Sequence, residues 1–282
     1  MAIFTNQAQL SYNNTIINSN VAVGEIFSGI TAAKTAVGDT YGRNDEVTYA
    51  ISIVNEGQTS LTDVIVTDNL GAYTAGETTL YPLTYVDGTV RLFINGTLVA
   101  APMVTAGPPL VFSGITIPAN SNAIIIYEAA VNEFAPLDTD DSITNTATVE
   151  SGSATADASE TITTEQEADL TITKTIEPST VFQNGTVTYT FTILNFGNTA
   201  AIATDNATLT DTFDPILSNI AVTFNGTPWA EGTNYTYDET TGLFATVAGQ
   251  ITVPAATYTV DPETNAVVIT PGVSELVVTG TV

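Results

Sequence analysis

The chain has 282 residues, of which 30 are Asp or Glu and only 4 are Lys or Arg, giving a formal net charge of -26 with no histidine and no cysteine. Four cations cannot line a phosphate backbone or an anionic bilayer, which excludes nucleic acid and acidic membrane surfaces as partners, and without His or Cys the usual zinc sites, His-activated nucleophiles and disulfides are excluded as well. A charged fraction of 12% beside 44% hydrophobic residues leaves enough apolar surface for a core, so the chain does not read as an acidic disordered tail.

Residues 1–28 open with AIFTNQAQLSYNN, which has neither a basic n-region nor an apolar h-region, so a standard signal peptide is not expected. From residue 29 onward almost every segment reads as strand. Val, Ile, Thr, Tyr and Phe alternate with small polar residues, and Gly, Asn, Asp and Pro punctuate at short intervals, as in VTYAISIVNEG (47–57) and VTYTFTILNFG (187–197). No stretch keeps a helical period, and no apolar run approaches the length needed to span a bilayer. The expectation is an all-β chain: one antiparallel sandwich over 29–150, a linker over 151–168 and a second sandwich over 169–282.

The two sandwiches repeat each other. ITAAKTAVGDTYGRNDEVTYAISIVNEG (30–57) matches LTITKTIEPSTVFQNGTVTYTFTILNFG (170–197) at an offset of 140, pairing Lys34 with Lys174, Tyr49 with Tyr189, Asn55 with Asn195 and Gly57 with Gly197. VIVTDNL (64–70) matches ATLTDTF (207–213), pairing Asp68 with Asp211. The early Lys-Thr strand, the VTY-x-x-x-x-N-x-G segment, the VTD strand and a closing ITNTATV strand together resemble the bacterial surface repeat catalogued as domain of unknown function eleven. That resemblance covers nearly the whole chain. It implies an extracellular, stalk-like or fibre-forming Ig-like module, similar in layout to the adhesin and pilin domains of Gram-positive bacteria that form Lys-Asn isopeptide bonds.

The first copy ends on SITNTATVE (142–150), and the second has no such strand before Val282. Its counterpart sits at the other end of the sequence, where IFTNQAQLSY (3–12) aligns with SITNTATVES (142–151) and Asn6 with Asn145. The tandem therefore reads as circularly permuted. A sandwich without its last strand recruits one from elsewhere, and residues 1–28 are expected to supply a donor strand and its linker, with Phe4, Asn6, Ala8 and Leu10 on the inward face. Donation between molecules makes a contact that does not close, hence a filament. A competing reading makes residues 1–28 an extra strand of the first domain or a leader, and the second domain a shorter sandwich.

Strand parity locates the chemistry. Lys34 shares a face with Ile30 and Lys174 with Leu170 and Ile172, while Asp68 falls with Val66, Asp211 with Leu209, and Asn145 with Ile143. Each module thus aims a Lys, an Asp and an Asn at a core. Burial drives a Lys-Asp pair toward its neutral forms. The free amine is then expected to add to the Asn side-chain carbonyl carbon, with Asp polarising the amide oxygen and shuttling protons as ammonia leaves. Lys34, Asp68 and Asn145 would make an intramolecular bond, and Lys174 and Asp211 would take Asn6 from another subunit. Glu128 and Asp63 compete for the proton shuttle, but their counterparts in the second copy are Thr279 or Gly280 and Asn206. In the rival account the lysines lie at strand ends and snorkel to solvent.

The expected function is a structural subunit of a cell-surface fibre, of the kind found on spores among other places, which polymerises with itself head to tail. It would be no enzyme beyond its own crosslinking and would need no cofactor, no metal and no membrane insertion, with a tip or anchor protein as a further partner. The alternative is a monomeric adhesin or carbohydrate-binding stalk fragment. Acidic loops at 38–46 and 138–142 lack EF-hand spacing and read as solvated. Trp229 reads as packing before it reads as a sugar platform.

Overall fold

A computed structural model describes residues 2–26 and 29–282. Among the described residues the regular elements are strands apart from a 3₁₀ turn at Ala203–Asp205, and the antiparallel sheets form Ig-like β-sandwiches. It divides into two compact units, Met1–Ala135 with Ser142–Thr163, and Pro136–Asp141 with Thr164–Val282.

The amino-terminal segment holds β1 (Ala2–Asn6), β2 (Gln9–Tyr12), β3 (Thr15–Asn18) and β4 (Ala22–Ile26). β1 pairs with β4 and β2 with β3, so the expected single extended donor strand is instead a long hairpin folded on itself. Asn13 and Asn14 form its two-residue tip with φ of 47° and 57°, the left-handed pair that a type I′ hairpin turn requires. A lone strand leaves one row of backbone groups bare on each side, and this turn lets the segment satisfy one row locally. Phe4 and Leu10 remain more than half exposed, and Asn6 and Ala8 are also exposed.

In the first sandwich the strands run β5 (Ile30–Ala36), β6 (Thr40–Tyr41), β7 (Glu46–Asn55), β8 (Leu61–Asp68), β9 (Tyr73–Ala75), β10 (Thr78–Leu80), β11 (Leu83–Tyr85), β12 (Arg91–Ile94) and β13 (Thr97–Val99). They continue with β14 (Met103–Thr105), β15 (Leu110–Ile117), β16 (Ser121–Val131), β17 (Ser142–Ser151) and β18 (Ala154–Thr164). One sheet has the order β13-β12-β16-β7-β5, the other β14-β15-β8-β17-β18-β6. Their inward faces enclose Tyr49, Ile51, Ile53, Val64, Val66, Leu110, Phe112 and Tyr127, all fully buried. The segment expected as a linker over 151–168 is mostly β18, which pairs with β17 along its whole length and buries Ala158 and Ile162. Its Ala, Thr, Ser and acidic residues carry little apolar bulk, so the alternation that marks it as strand is faint.

The second sandwich contains β19 (Leu170–Glu177), β20 (Thr186–Asn195), β21 (Thr210–Thr212), β22 (Ser218–Phe224), β23 (Thr227–Trp229), β24 (Tyr235–Asp238), β25 (Leu243–Thr246), β26 (Thr257–Val260), β27 (Val267–Thr270) and β28 (Gly272–Thr281). Its larger sheet, β23-β22-β28-β20-β19, repeats the path β13-β12-β16-β7-β5 of the first unit but, among the described residues, has no strand in the place of β11, which also pairs with β16 there, and Lys174 faces Phe191 across the ladder as Lys34 faces Ile51. The other sheet is only β24-β25-β21, matching β14-β15-β8 and stopping there. Among the described residues no strand lies along the outer edge of β21, where β17 lies along β8 in the first unit.

The repeated N-x-G segment is structural. The Asn55 amide donates to the carbonyls of Thr59, Ile117 and Pro118 at 2.8–3.1 Å while its oxygen accepts the Gly57 N–H. Asn195 does the same with Thr199, Pro254 and Gly197. A Cβ at Gly197 would lie 2.1 Å from the Glu167 carbonyl oxygen, so only glycine fits that crossing.

Candidate functional site

In the first unit, β5 and β8 belong to opposite sheets, and inward parity brings their polar residues together inside the sandwich. Lys34 Nζ lies 2.5 Å from Asp68 Oδ2, and both side chains are fully buried. The Tyr127 hydroxyl, from β16, donates to the same Asp68 oxygen at 2.6 Å, and the Leu70 N–H donates to the other at 2.9 Å. Asn145, also fully buried, donates its amide to Tyr127 Oη at 3.2 Å and accepts the Gly71 N–H on Oδ1 at 3.2 Å. Tyr49 stacks on Tyr127, with ring centroids 5.7 Å apart, and the Lys34 ammonium lies 4.8 Å from the Tyr49 centroid. The structure thus brings Lys34, Asp68 and Asn145 into one hydrogen-bonded cluster.

Burial drives the Lys34 ammonium down to about 8 against the opposing pull of Asp68, because a low-dielectric interior penalises the charged form. The same burial, reinforced by the Asp68 charge, pushes the Tyr127 and Tyr49 hydroxyls up, so both stay protonated, the neighbouring Asn145 amide only partly opposing the shift.

Tyr127 and the Gly71 amide are the participants that sequence reasoning missed. Asp68 does not hydrogen-bond Asn145 directly; Tyr127 bridges them. Tyr127 is one aromatic in a strand of apolar residues and reads as core by pattern. The signal was its position opposite Tyr49 across the ladder, which parity places on the Lys34 side. Of the rival acids, Glu128 lies on the opposite face of β16 from Tyr127. Asp63 is exposed and takes a left-handed φ of 51° inside β8, where the register against β15 shifts, and its counterpart Asn206 has a φ of 54° at the end of the 3₁₀ turn, so each shapes the backbone.

The second unit assembles only part of the cluster. Lys174 pairs with Asp211, and its Nζ lies 4.6 Å from the Tyr189 centroid. The expected burial is not met: 39% of the Lys174 side chain and 19% of the Asp211 side chain are exposed, and every residue of β19 is solvent-accessible. Leu170 is 40% and Ile172 54% exposed, whereas Ile30 is 2% exposed at the first of those positions. The ladder puts Val278 opposite Tyr189, so the bridging tyrosine has no counterpart. An open cleft of about 310 Å³ separates Leu170, Ile172 and Ile193 from Thr208, Leu209 and Thr210. Asn6 lies on β1 and forms no part of either cluster in this chain.

Trp229 stacks on Phe224 at 4.8 Å and packs against the core. Among the described residues no acidic cluster is arranged to hold a metal ion, and no helix is long and apolar enough to cross a membrane.

No protein-family model and no curated protein matches the chain. Among solved structures it is similar to the carboxy-terminal domain of the AgI/II polypeptide BspA of Streptococcus agalactiae, at 12% identity over 90% of this chain and 91% of that one, with a TM-score of 0.35. It is similar to the pilus backbone RrgB of Streptococcus pneumoniae, at 12% identity over 86% of this chain and 55% of that one, with a TM-score of 0.35. It is also similar to BcpA, the major pilin subunit of Bacillus cereus, at 11% identity over 94% and 70% of the two chains, with a TM-score of 0.36.

Proposed function

We propose that the chain is a self-polymerising structural subunit of a bacterial cell-surface fibre, in which the amino-terminal segment of one copy completes the second sandwich of the next and lysine-asparagine amide bonds lock the result. The observation that carries this reading is the bare edge of β21 beside an apolar cleft, at the position β17 fills in the first unit. Transferring the first-unit register, Ala147 opposite Asp68 and Val149 opposite Val66, sets Ala8 opposite Asp211 and Leu10 opposite Leu209. Asn6 then takes the place of Asn145. Leu10, Phe4, Leu170 and Ile172 are each about half exposed before assembly, and covering each would contribute about 1 kcal/mol.

The first-unit geometry supports the following chemistry. The neutral Lys34 amine attacks Asn145 Cγ, and the Gly71 N–H stabilises the charge that develops on Oδ1. Asp68 takes a proton from the attacking nitrogen, and the Tyr127 hydroxyl, which bridges Asp68 and Asn145, relays one to Nδ2. The Nζ–Cγ bond forms, the Cγ–Nδ2 bond breaks and ammonia leaves. Lys174, Asp211 and Asn6 would repeat this between subunits, without a counterpart of Tyr127. Such bonds would staple a chain that contains no cysteine.

Denaturing electrophoresis of the boiled, purified chain tests the proposal. A ladder of multimers is expected, reduced to monomer by Asn6→Ala; a single monomer band from the unaltered chain refutes the bond between subunits and leaves the monomeric adhesin reading standing.

A further inference from the structure

Resting on that reading, we infer that the donated element is the whole amino-terminal hairpin, so that a neighbouring copy of this chain adds two strands to the second sandwich instead of one. The hairpin formed by β1 to β4 reproduces the register of the β17–β18 hairpin over its tip half, from Tyr12↔Thr15 to Gln9↔Asn18. At the tip, Tyr12 faces Thr15 as Ser151 faces Ala154, and both turns have two residues between these pairs. Shifting β17 and β18 by the 139 residues that separate Asn145 from Asn6 lands them on 3–12 and 15–25, the span the four short strands occupy. Toward the open end the return strand gains a single residue, so that Asn6 faces Ala22. The Ser19 hydroxyl secures that irregularity, accepting the Ala8 N–H at 2.9 Å.

The corresponding inward pairs are each filled, by different side chains. Ile143 faces Ile162 in the first unit, both fully buried, while Phe4 faces Gly24, and a Cβ at Gly24 would lie 2.4 Å from the Phe4 ring. One large and one absent side chain replace two of medium size. An inward face made this way suits the same kind of slot, whereas an unpaired Phe4 strand would leave the room over Gly24 unused.

A second observation concerns where the outer strand would land. In the first unit β18 continues the sheet to β6, with the Thr163 N–H donating to the Asp39 carbonyl at 2.9 Å, and the adjoining Tyr41 is buried. The repeat offset of 140 places Tyr41 over Val181, beside Phe182, which is 92% exposed. A single donated strand next to β21 stops one strand short of this loop. The return strand of a hairpin reaches it and gives Phe182 a neighbour. The completed sheet would read β24-β25-β21 followed by the two hairpin arms, as β14-β15-β8 is followed by β17 and β18.

The inference makes the outer arm, Thr15 to Ile26, part of the fibre. Hydrogen exchange of the full-length chain, compared between freshly purified monomer and assembled fibre, distinguishes the cases. A two-stranded hairpin alone is marginally stable in water, so both arms should exchange readily before assembly. Hairpin donation slows the amides of both arms by about a hundredfold or more. Slowing confined to 2–12, with 15–26 still fast, overturns the hairpin and leaves single-strand donation intact. No slowing in either arm overturns donation itself. As a second readout, Phe182→Ala should weaken assembly while the monomer keeps its fold. Unchanged assembly in that variant counts against the outer arm reaching the loop.

Discussion

Lys34 and Lys174 meet the same residue type from the same strand position, yet one pair is sealed and the other lies open. In the first unit β17 covers the pair, both side chains are fully buried, and Tyr127 adds a third hydrogen bond on the carboxylate. In the second unit no strand among the described residues lines the edge beside Asp211, and the lysine is more than a third exposed. The sheets that carry the two lysines share the path β13-β12-β16-β7-β5 and β23-β22-β28-β20-β19, so the difference lies in the facing sheet, where β17 and β18 continue past β8 and, among the described residues, no strand continues past β21. A buried charge pair depends on each partner to keep the other compensated, while a solvated pair is screened and contributes little. The same motif is therefore sealed in one unit and partly solvated in the other.

Substitutions should expose that contrast. Asp68→Ala strips the counter-charge from a fully buried lysine and should cost the first unit about 3–5 kcal/mol, read by chemical denaturation. An effect under about 1 kcal/mol would mean that the pair is hydrated and that the contrast between the units is false.

Titration should separate the units next. In Asn145→Ala, where no crosslink can form, burial still holds Lys34 near 8 against an ordinary value of 10.5. Below about 8 the folded and unfolded chains both carry the proton, and the cost of the buried charge is fully present. Between about 8 and 10.5 only the unfolded chain keeps it, so stability should rise with pH across that window by up to about 3 kcal/mol. Burial and the Asp68 charge hold the Tyr127 hydroxyl up, so above about pH 10 its unfolded form ionises first and the trend should reverse. Thermal unfolding at a series of pH values checks the sign.

Tyr127→Phe should be milder. It removes one donor from Asp68 and leaves the Asn145 amide without its acceptor, a loss of about 1–2 kcal/mol together with slower loss of ammonia by intact mass. The smallest effect belongs to the open site: Asp211→Ala should change the stability of unassembled chain by less than about 1 kcal/mol while abolishing heat-resistant multimers.

Much of this layout is legible in the sequence because strand parity and an internal repeat are both strong signals. Parity alone sets Lys34, Asp68 and Asn145 on inward faces, and the repeat sets Lys174 and Asp211 on theirs. Parity cannot say whether a covering strand is there, so it gives Lys174 and Lys34 the same surroundings when their exposures differ widely. The outer strand escapes notice twice, in β18 and in the return arm of the amino-terminal hairpin. ATADASETITT and TIINSNVAVGEI hold too few bulky residues, or too irregular an alternation, to stand out as sheet. Tyr127 hides for the opposite reason, since an apolar strand is an ordinary place for a tyrosine and only the ladder partner reveals its hydroxyl's target.

Proteolytic peptide mapping by mass spectrometry of the heat-resistant multimers reads the proposed bond between subunits itself. A branched species is expected, in which the Lys174 peptide is joined to the Asn6 peptide with the loss of one ammonia. Multimers from which the Lys174 and Asn6 peptides are recovered only in linear, unmodified form would contradict it.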